Sequence, residues 1–225
     1  MIRLNKRHII VTGTSRGIGH EITKKWFESS KNNETRMSFT ISRNENNDIT
    51  NYKNMKSFIY ECFSDKNYNY KEKPIALVNN AGIIELGNIL ELSTESWKRQ
   101  FDVNINGMFN CSKVYVEECI KNKIEGKIIN ICSTAGIGAR PGYSAYAASK
   151  AAAINFSLSL SKELKQYGIK VYCVCPGAVN TDMRHYINPD DDFENMMKPM
   201  DVANFVIDLV EDGEYLDGQI LTIKK

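Results

Sequence analysis

His8-Ile-Ile-Val-Thr12-Gly-Thr-Ser-Arg-Gly-Ile-Gly19 passes from a short apolar run, through three glycines, into an amphipathic pattern. The run over 8–12 reads as a β-strand. From about 17 to 30 the spacing changes to that of a helix, with Ile18, Ile22 and Trp26 on one face. Gly13, Gly17 and Gly19 let the backbone turn sharply and come close to a ligand. The helix start that follows offers unpaired N–H groups and a positive dipole end, which suit a phosphate. The spacing departs from G-x-G-x-x-G but serves the same physics. A glycine-rich turn with no ligand is the competing account. A position directly after the first strand of an alternating chain argues against it.

That alternation continues to the end of the sequence. Residues 39–42, 75–79, 127–132, 170–174 and 219–223 read as strands. Helical patterns lie between them. One carries Met108, Phe109, Val114 and Ile120, one covers 146–167 with Ala151, Ile154 and Leu158 in register, and one covers about 201–211. Such βαβ order predicts an α/β fold, a doubly wound parallel sheet with helices on both faces. No repeat, biased tail or long linker interrupts the 225 residues, so one domain over 1–225 is expected.

Composition narrows the function classes. With 42% apolar residues the chain can bury one large core. A net charge of +2 favours neither nucleic acid nor an anionic membrane as partner. Apolar runs such as 9–11 are too short for a membrane span or a signal peptide. Six cysteines fall mostly in apolar, regular segments. Cys173 and Cys175 share one face of a strand by alternation, and no further Cys or His cluster completes a zinc site. Reduced, buried thiols, a cytoplasmic location and no metal are expected.

The chemistry concentrates in Ser133-Thr-Ala-Gly136 and Tyr146-Ala-Ala-Ser-Lys150. Positions i and i+4 of a helix share a face, so the Tyr146 phenol and the Lys150 ammonium can meet one ligand. They supply a proton donor and a cation to tune it, and Ser133 adds a hydroxyl for a carbonyl oxygen. Chance alone supplies about one such Tyr/Lys pair in a chain of this composition. Tyr52 and Lys56 are that decoy, because Phe39 stands where the serine is needed. Tyr146 as a core aromatic is the bland alternative.

Taken in order, Thr12-Gly13-x-x-x-Gly17-x-Gly19, Asn79-Asn80-Ala81-Gly82, Asn104-Ile-Asn-Gly107, Ser133, Tyr146-x-x-x-Lys150, Pro176-Gly177 and Thr181 resemble the short-chain dehydrogenase/reductases. The likeness covers nearly the whole chain and is strongest to the 3-oxoacyl-carrier-protein reductase branch. It implies a single-domain Rossmann fold that transfers hydride between a nicotinamide and a carbonyl or alcohol carbon. Tyr146 is then the general acid in reduction. Its ordinary pKa is near 10, roughly three units too high for a base at neutral pH. A cation about 4 Å away at an effective dielectric near 20 is worth about 4 kcal/mol, the size of effect required. The resemblance also gives Lys150 the ribose hydroxyls, Ser133 the substrate oxygen and Asn104 a place in a proton relay. Asn104 as a helix cap or kink is the alternative. Asn79 is expected to hold strand ends together. The implied cofactor contacts are Gly13, Ser15, Arg16, Gly17, Ile18, Gly19, Ser42, Arg43, Asp48, Ile49, Asn80, Ala81, Gly82, Tyr146, Lys150, Pro176, Gly177, Val179 and Thr181. For Thr181, a helix N-cap competes with a contact to the carboxamide.

The preferred cofactor follows from the end of the second strand. NAD-specific relatives carry an acid there, which accepts hydrogen bonds from the adenosine ribose. This chain has Ser42-Arg43, with Arg16 in the glycine loop. Two guanidiniums and a hydroxyl suit a 2′-phosphate, so NADP(H) is expected over NAD(H). Ordinary surface arginines are the alternative.

Two regions depart from the family. Only five residues separate Ser42 from Asp48, whereas relatives place a helix and a third strand there. A parallel crossover needs about a dozen residues, so that strand is expected to be reduced or absent. A short substrate lid is expected over about 182–198, a stretch that a solvated loop also explains. Arg140 and Arg184 are either greeters of an anionic substrate or plain surface residues. The leading expectation is an NADP(H)-dependent reductase of a small carbonyl or alcohol substrate, such as a 3-oxoacyl thioester, and a homodimer or homotetramer. The rivals are a catalytically silent NADP-binding regulator and a ketoreductase of a sugar or polyketide pathway. A sugar-nucleotide enzyme of the extended branch needs a larger C-terminal region than the about 44 residues after Thr181.

Overall fold

A computed structural model describes residues 5–30, 34–42, 48–64 and 73–225. The strands are β1 (Asn5–Thr12), β2 (Glu34–Ile41), β3 (Pro74–Asn79), β4 (Lys127–Ile131), β5 (Lys170–Pro176) and β6 (Ile220–Ile223). The helices are α1 (Gly17–Glu28), α2 (Tyr52–Phe63), α3 (Thr94–Phe101), α4 (Gly107–Asn122), α5 (Ser144–Leu164), α6 (Asp182–Ile187) and α7 (Pro199–Asp212). A π-helical turn, Asp102–Asn106, joins α3 to α4.

All six strands lie parallel in one sheet, in the order β2-β1-β3-β4-β5-β6. Successive side chains of a strand point to opposite faces, and the core divides accordingly. Ile9, Val11, Ala76, Val78, Ile129, Tyr172 and Val174 join α1 and α7 on one face. Ile10, Leu77, Ile128 and Val171 join α2 and α4 on the other. This two-sided burial explains why the central strands read as continuous apolar runs.

β2 begins at Glu34, five residues earlier than the apolar pattern predicts. It is the sheet edge among the described residues, so β1 pairs it on one side only, and charged residues are tolerated on such a strand. Its Arg36 is nearly buried, 4.5 Å over the Trp26 ring and 2.7 Å from Glu211 of α7. Helix α2 has no counterpart in the sequence expectations. The Asn51 side chain caps it by accepting from the N–H groups of Lys53 (3.0 Å) and Asn54 (3.3 Å). Met55, Ile59, Cys62 and Phe63 then form its buried stripe.

Candidate active site

In an open parallel sheet, ligands bind at the C-terminal ends of the strands where the strand order reverses. Here that point lies between β1 and β3, which the chain visits first and third. Gly13 leaves β1 with φ of +71°, and a Cβ on it would stand 2.7 Å from the Ala81 Cα. Only glycine satisfies both conditions. Thr12 Oγ1 accepts hydrogen bonds from the N–H groups of Asn80 (3.0 Å) and Ala81 (2.9 Å). The Asn80 amide donates back to the carbonyls of Thr12 (3.0 Å) and Gly13 (2.9 Å). The two loops are thus clipped together by residues on both strands. Deeper down, Asn79 donates to Asn130 Oδ1 (2.8 Å) and Ser112 Oγ (2.9 Å), linking β3 to β4 and α4. Thr14 and Ser42 share a hydroxyl contact of 3.2 Å that ties the glycine loop to the end of β2. Among the described residues no side chain caps the start of α1, and no acid stands in its first turn, so its N–H groups suit an anion.

Ser133 follows β4 in extended conformation and caps a short 3-10 turn, its Oγ accepting from the Ala135 N–H at 3.1 Å. That leaves the hydroxyl hydrogen for another acceptor. Gly136 of this turn packs on α5 so closely that a Cβ would sit 2.7 Å from the Lys150 carbonyl carbon. The serine is therefore held against the helix that carries Tyr146 and Lys150. Lys150 is only 4% exposed, and its Nζ donates to the Ile131 carbonyl at 2.9 Å, 5.8 Å from the centre of the Tyr146 ring. Its other two N–H bonds have no partner among the described residues. Asn104 lies in the π-turn, fully buried. Its Oδ1 accepts from the Ile83 N–H (2.8 Å), and its Nδ2 donates to the Ile83 carbonyl (2.9 Å) and Ser149 Oγ (3.0 Å). It bonds the wall of the site to the residue before Lys150.

A cavity of about 630 Å³ opens above these groups. Its lining gathers most of the expected residues: Gly13, Ser15, Arg16, Gly17, Ile18, Asp48, Ile49, Asn80, Ala81, Gly82, Ser133, Tyr146, Lys150, Pro176, Gly177, Val179 and Thr181. Gly19 is not in the lining but lies beneath it, where a side chain would drive into the Gly13 carbonyl. Ser42 and Asn104 also stand behind the lining, and Arg43 lies outside the described residues. Arg16 is exposed and 3.9 Å from Asp182 of α6, a partner the sequence expectation lacks. Thr181 does two things at once, capping α6 through the Arg184 N–H (3.3 Å) while lining the cavity. Sequence reading quotes Thr12 within the glycine motif but gives no role to it, to Thr14 or to Tyr143, since a lone threonine or tyrosine carries no pattern.

The segment after β5 folds over the cavity. Val179 bridges Met197, and the Asn180 N–H donates to the Met197 carbonyl at 2.9 Å, so the segment starts and ends side by side. Arg184 pairs with Asp191. The guanidinium can only donate, so it is the oxygen of the Asn188 amide that lies between Arg184 Nη1 and Nη2, 3.0 Å from each. The same oxygen accepts from the Tyr143 hydroxyl at 3.2 Å, which ties this segment to α5. One end of the cavity thus offers bare backbone N–H groups and the other a buried ammonium, a donor set that fits a dinucleotide.

A model of the family described as short chain dehydrogenase matches residues 7–192. The 3-oxoacyl-(acyl-carrier-protein) reductase FabG of Chlamydia trachomatis serovar D is 30% identical over 246 residues, covering 95% of this chain and 94% of that protein. The structure of ElxO with NADP bound superposes with a TM-score of 0.83 at 23% identity, covering 97% of both chains, a likeness of fold. A 4-hydroxyisoleucine dehydrogenase complexed with NADH superposes with a TM-score of 0.81 at 27% identity, covering 96% of both chains.

Proposed function

Since this chain belongs to the short-chain dehydrogenase family, we propose that it is an NADPH-dependent reductase of a carbonyl compound, with Tyr146 as its acid. The buried Lys150 ammonium beside the Tyr146 ring carries this reading. Burying a charge is costly unless its donors are satisfied, and Lys150 has a single acceptor among the described residues. Ribose hydroxyls are the acceptors its remaining donors suit. The bound dinucleotide supplies the hydride. Ser133 Oγ donates to the substrate oxygen as negative charge develops there, and Tyr146 delivers the proton to that oxygen. Asn104 acts as a positioning residue through Ile83 and Ser149.

The N-terminus of α1 and the backbone of 13–19 would hold the pyrophosphate, and Asp48 and Ile49, which line the same cavity, would face the adenine. NADPH is the preferred form, because the sequence has no acid directly after β2, Arg43 follows Ser42 there and Arg16 stands in the glycine loop. The edge position of β2 and the five residues between Ser42 and Asp48 support a reduced third strand. A 3-oxoacyl thioester is one substrate to try, given the FabG relative. The decisive measurement follows NADPH absorbance over acyl thioesters, sugars, cyclic ketones and oxo acids. Consumption with at least one carbonyl class is expected. Tight NADPH binding without turnover of any of them would refute the reductase and favour a silent binding protein.

A further inference from the structure

Among the described residues, six cations line the cavity: Arg16, Lys98, Arg99, Arg140, Lys150 and Arg184. Four of them have acids at hand. Arg16 faces Asp182, Arg99 pairs with Glu85, and Arg184 pairs with Asp191. Lys98 stands one helical turn from both Glu95 and Asp102, which line the same cavity. Lys150 is buried beside Tyr146 and belongs to the chemistry above. Arg140 is left. It is exposed, and among the described residues its contact is aromatic: the guanidinium carbon sits 5.9 Å from the Tyr143 ring centre. That ring meets the Tyr146 ring edge-on at 6.4 Å. The Tyr143 hydroxyl is held by Asn188, so the aromatic shelf under Arg140 is fixed from the other side.

We infer that Arg140 is a specificity-determining residue that pairs with an anionic group of the substrate, placed about one aromatic ring away from the reacting carbonyl. The inference rests on the reductase reading and names the substrate class for that same site: a ketone or aldehyde carrying a carboxylate or phosphate. A guanidinium offers a planar fork that matches either group with two parallel hydrogen bonds. Tyr143, Met183 and Ile187 also line the cavity and supply apolar surface for the carbon chain between the two ends. Lys98, Arg99 and Arg184 compete weakly for the anion because carboxylates already stand beside them, while Arg16 and Lys150 are assigned to the cofactor.

The test compares charged and neutral partners of equal shape in the wild type and in Arg140→Gln. One arm is a chain-length series of oxo-carboxylates against their methyl esters. The other is acetoacetyl-coenzyme A against its phosphate-free N-acetylcysteamine analogue, which separates a phosphate source from a carboxylate. We expect the wild type to favour the anionic member of one arm by at least about tenfold in kcat/KM, chiefly through KM. In Arg140→Gln that preference should collapse, the anion losing about tenfold and the neutral partner far less. Arg140→Lys should recover part of it. Retained NADPH affinity in the variant, read by cofactor fluorescence, checks that the fold is intact. A wild type that reduces neutral carbonyls without preferring their anionic partners overturns this inference and leaves the reductase standing. Equal losses on both partners in Arg140→Gln overturn it too. A protein that reduces no carbonyl in either arm overturns this inference, and the reductase reading falls with it only if sugars and cyclic ketones are refused as well.

Discussion

At Lys150 burial and charge pull in opposite directions. The residue is 4% exposed with one backbone acceptor, an arrangement that stability alone does not favour. Lys150→Ala should therefore weaken NADPH binding and turnover together, since one ammonium serves both. Tyr146→Phe should keep cofactor binding and lose at least about two orders of magnitude in kcat, the scale of a general acid. Fluorescence titration with single-turnover kinetics reads both, and a Tyr146→Phe enzyme of near wild-type rate would sink the assignment. For the cofactor, NADPH should bind at least about tenfold tighter than NADH, or about 1.4 kcal/mol. Arg43→Asp should erode that margin by weakening NADPH alone; equal affinities in the wild type would show the arginines to be idle. Ser133, Tyr146 and Lys150 were legible because their spacing combines three distinct chemistries. The tie of Arg16 to Asp182 was not, since the two are brought together only by the tertiary fold. Thr12 was part of the quoted motif, but its role was illegible for another reason. Its hydroxyl matters through two N–H groups of a different strand, and nothing local in the sequence marks that.

Among the elements, the central strands could be read from continuous apolar runs, and α1 and α5 from their periodicity. The helix carrying Met108 to Ile120 was read as well, but α3 before it was missed, where the period breaks. Between α3 and α4 the π-turn over Asp102–Asn106 inserts an extra residue, which rotates everything after it relative to the stripe before it. β2 failed differently: its polar first half is held by pairing to β1 and by Arg36, not by hydrophobic alternation. The contact of α1 with β2 and α7 runs through Trp26, which is fully buried and donates from Nε1 to the Met37 carbonyl at 2.9 Å. Trp26→Ala should cost about 3–5 kcal/mol, combining a large cavity with an abandoned carbonyl. A urea titration monitored by far-UV dichroism would measure it. A loss below about 1 kcal/mol would mean that β2 and α7 close over the gap.

For the molecule as a whole, the doubly wound layering followed from the βαβ order. Phe109 is 47% exposed and Ile120 is 42% exposed on α4, and the Phe109 ring touches Phe156 of α5 edge-on at 6.3 Å. Apolar side chains across two long helices are an apt seam for a second copy, so a dimer or tetramer is expected by light scattering at micromolar concentration. A monomer there would show that water covers this face. The closing of 180–196 at its own base has a consequence for engineering. Because Val179 and Met197 are already bridged, the intervening residues form a cassette whose two ends are spliced at one point. Loop-closure entropy grows only slowly with length, by about 0.6 kcal/mol per doubling. A lid transplanted from a relative, even one twice as long, should then leave the melting temperature within a few degrees while changing which carbonyls are accepted. Loss of folding on such a graft would show that the Asn188–Tyr143 tie, and not the base, is what anchors the cassette.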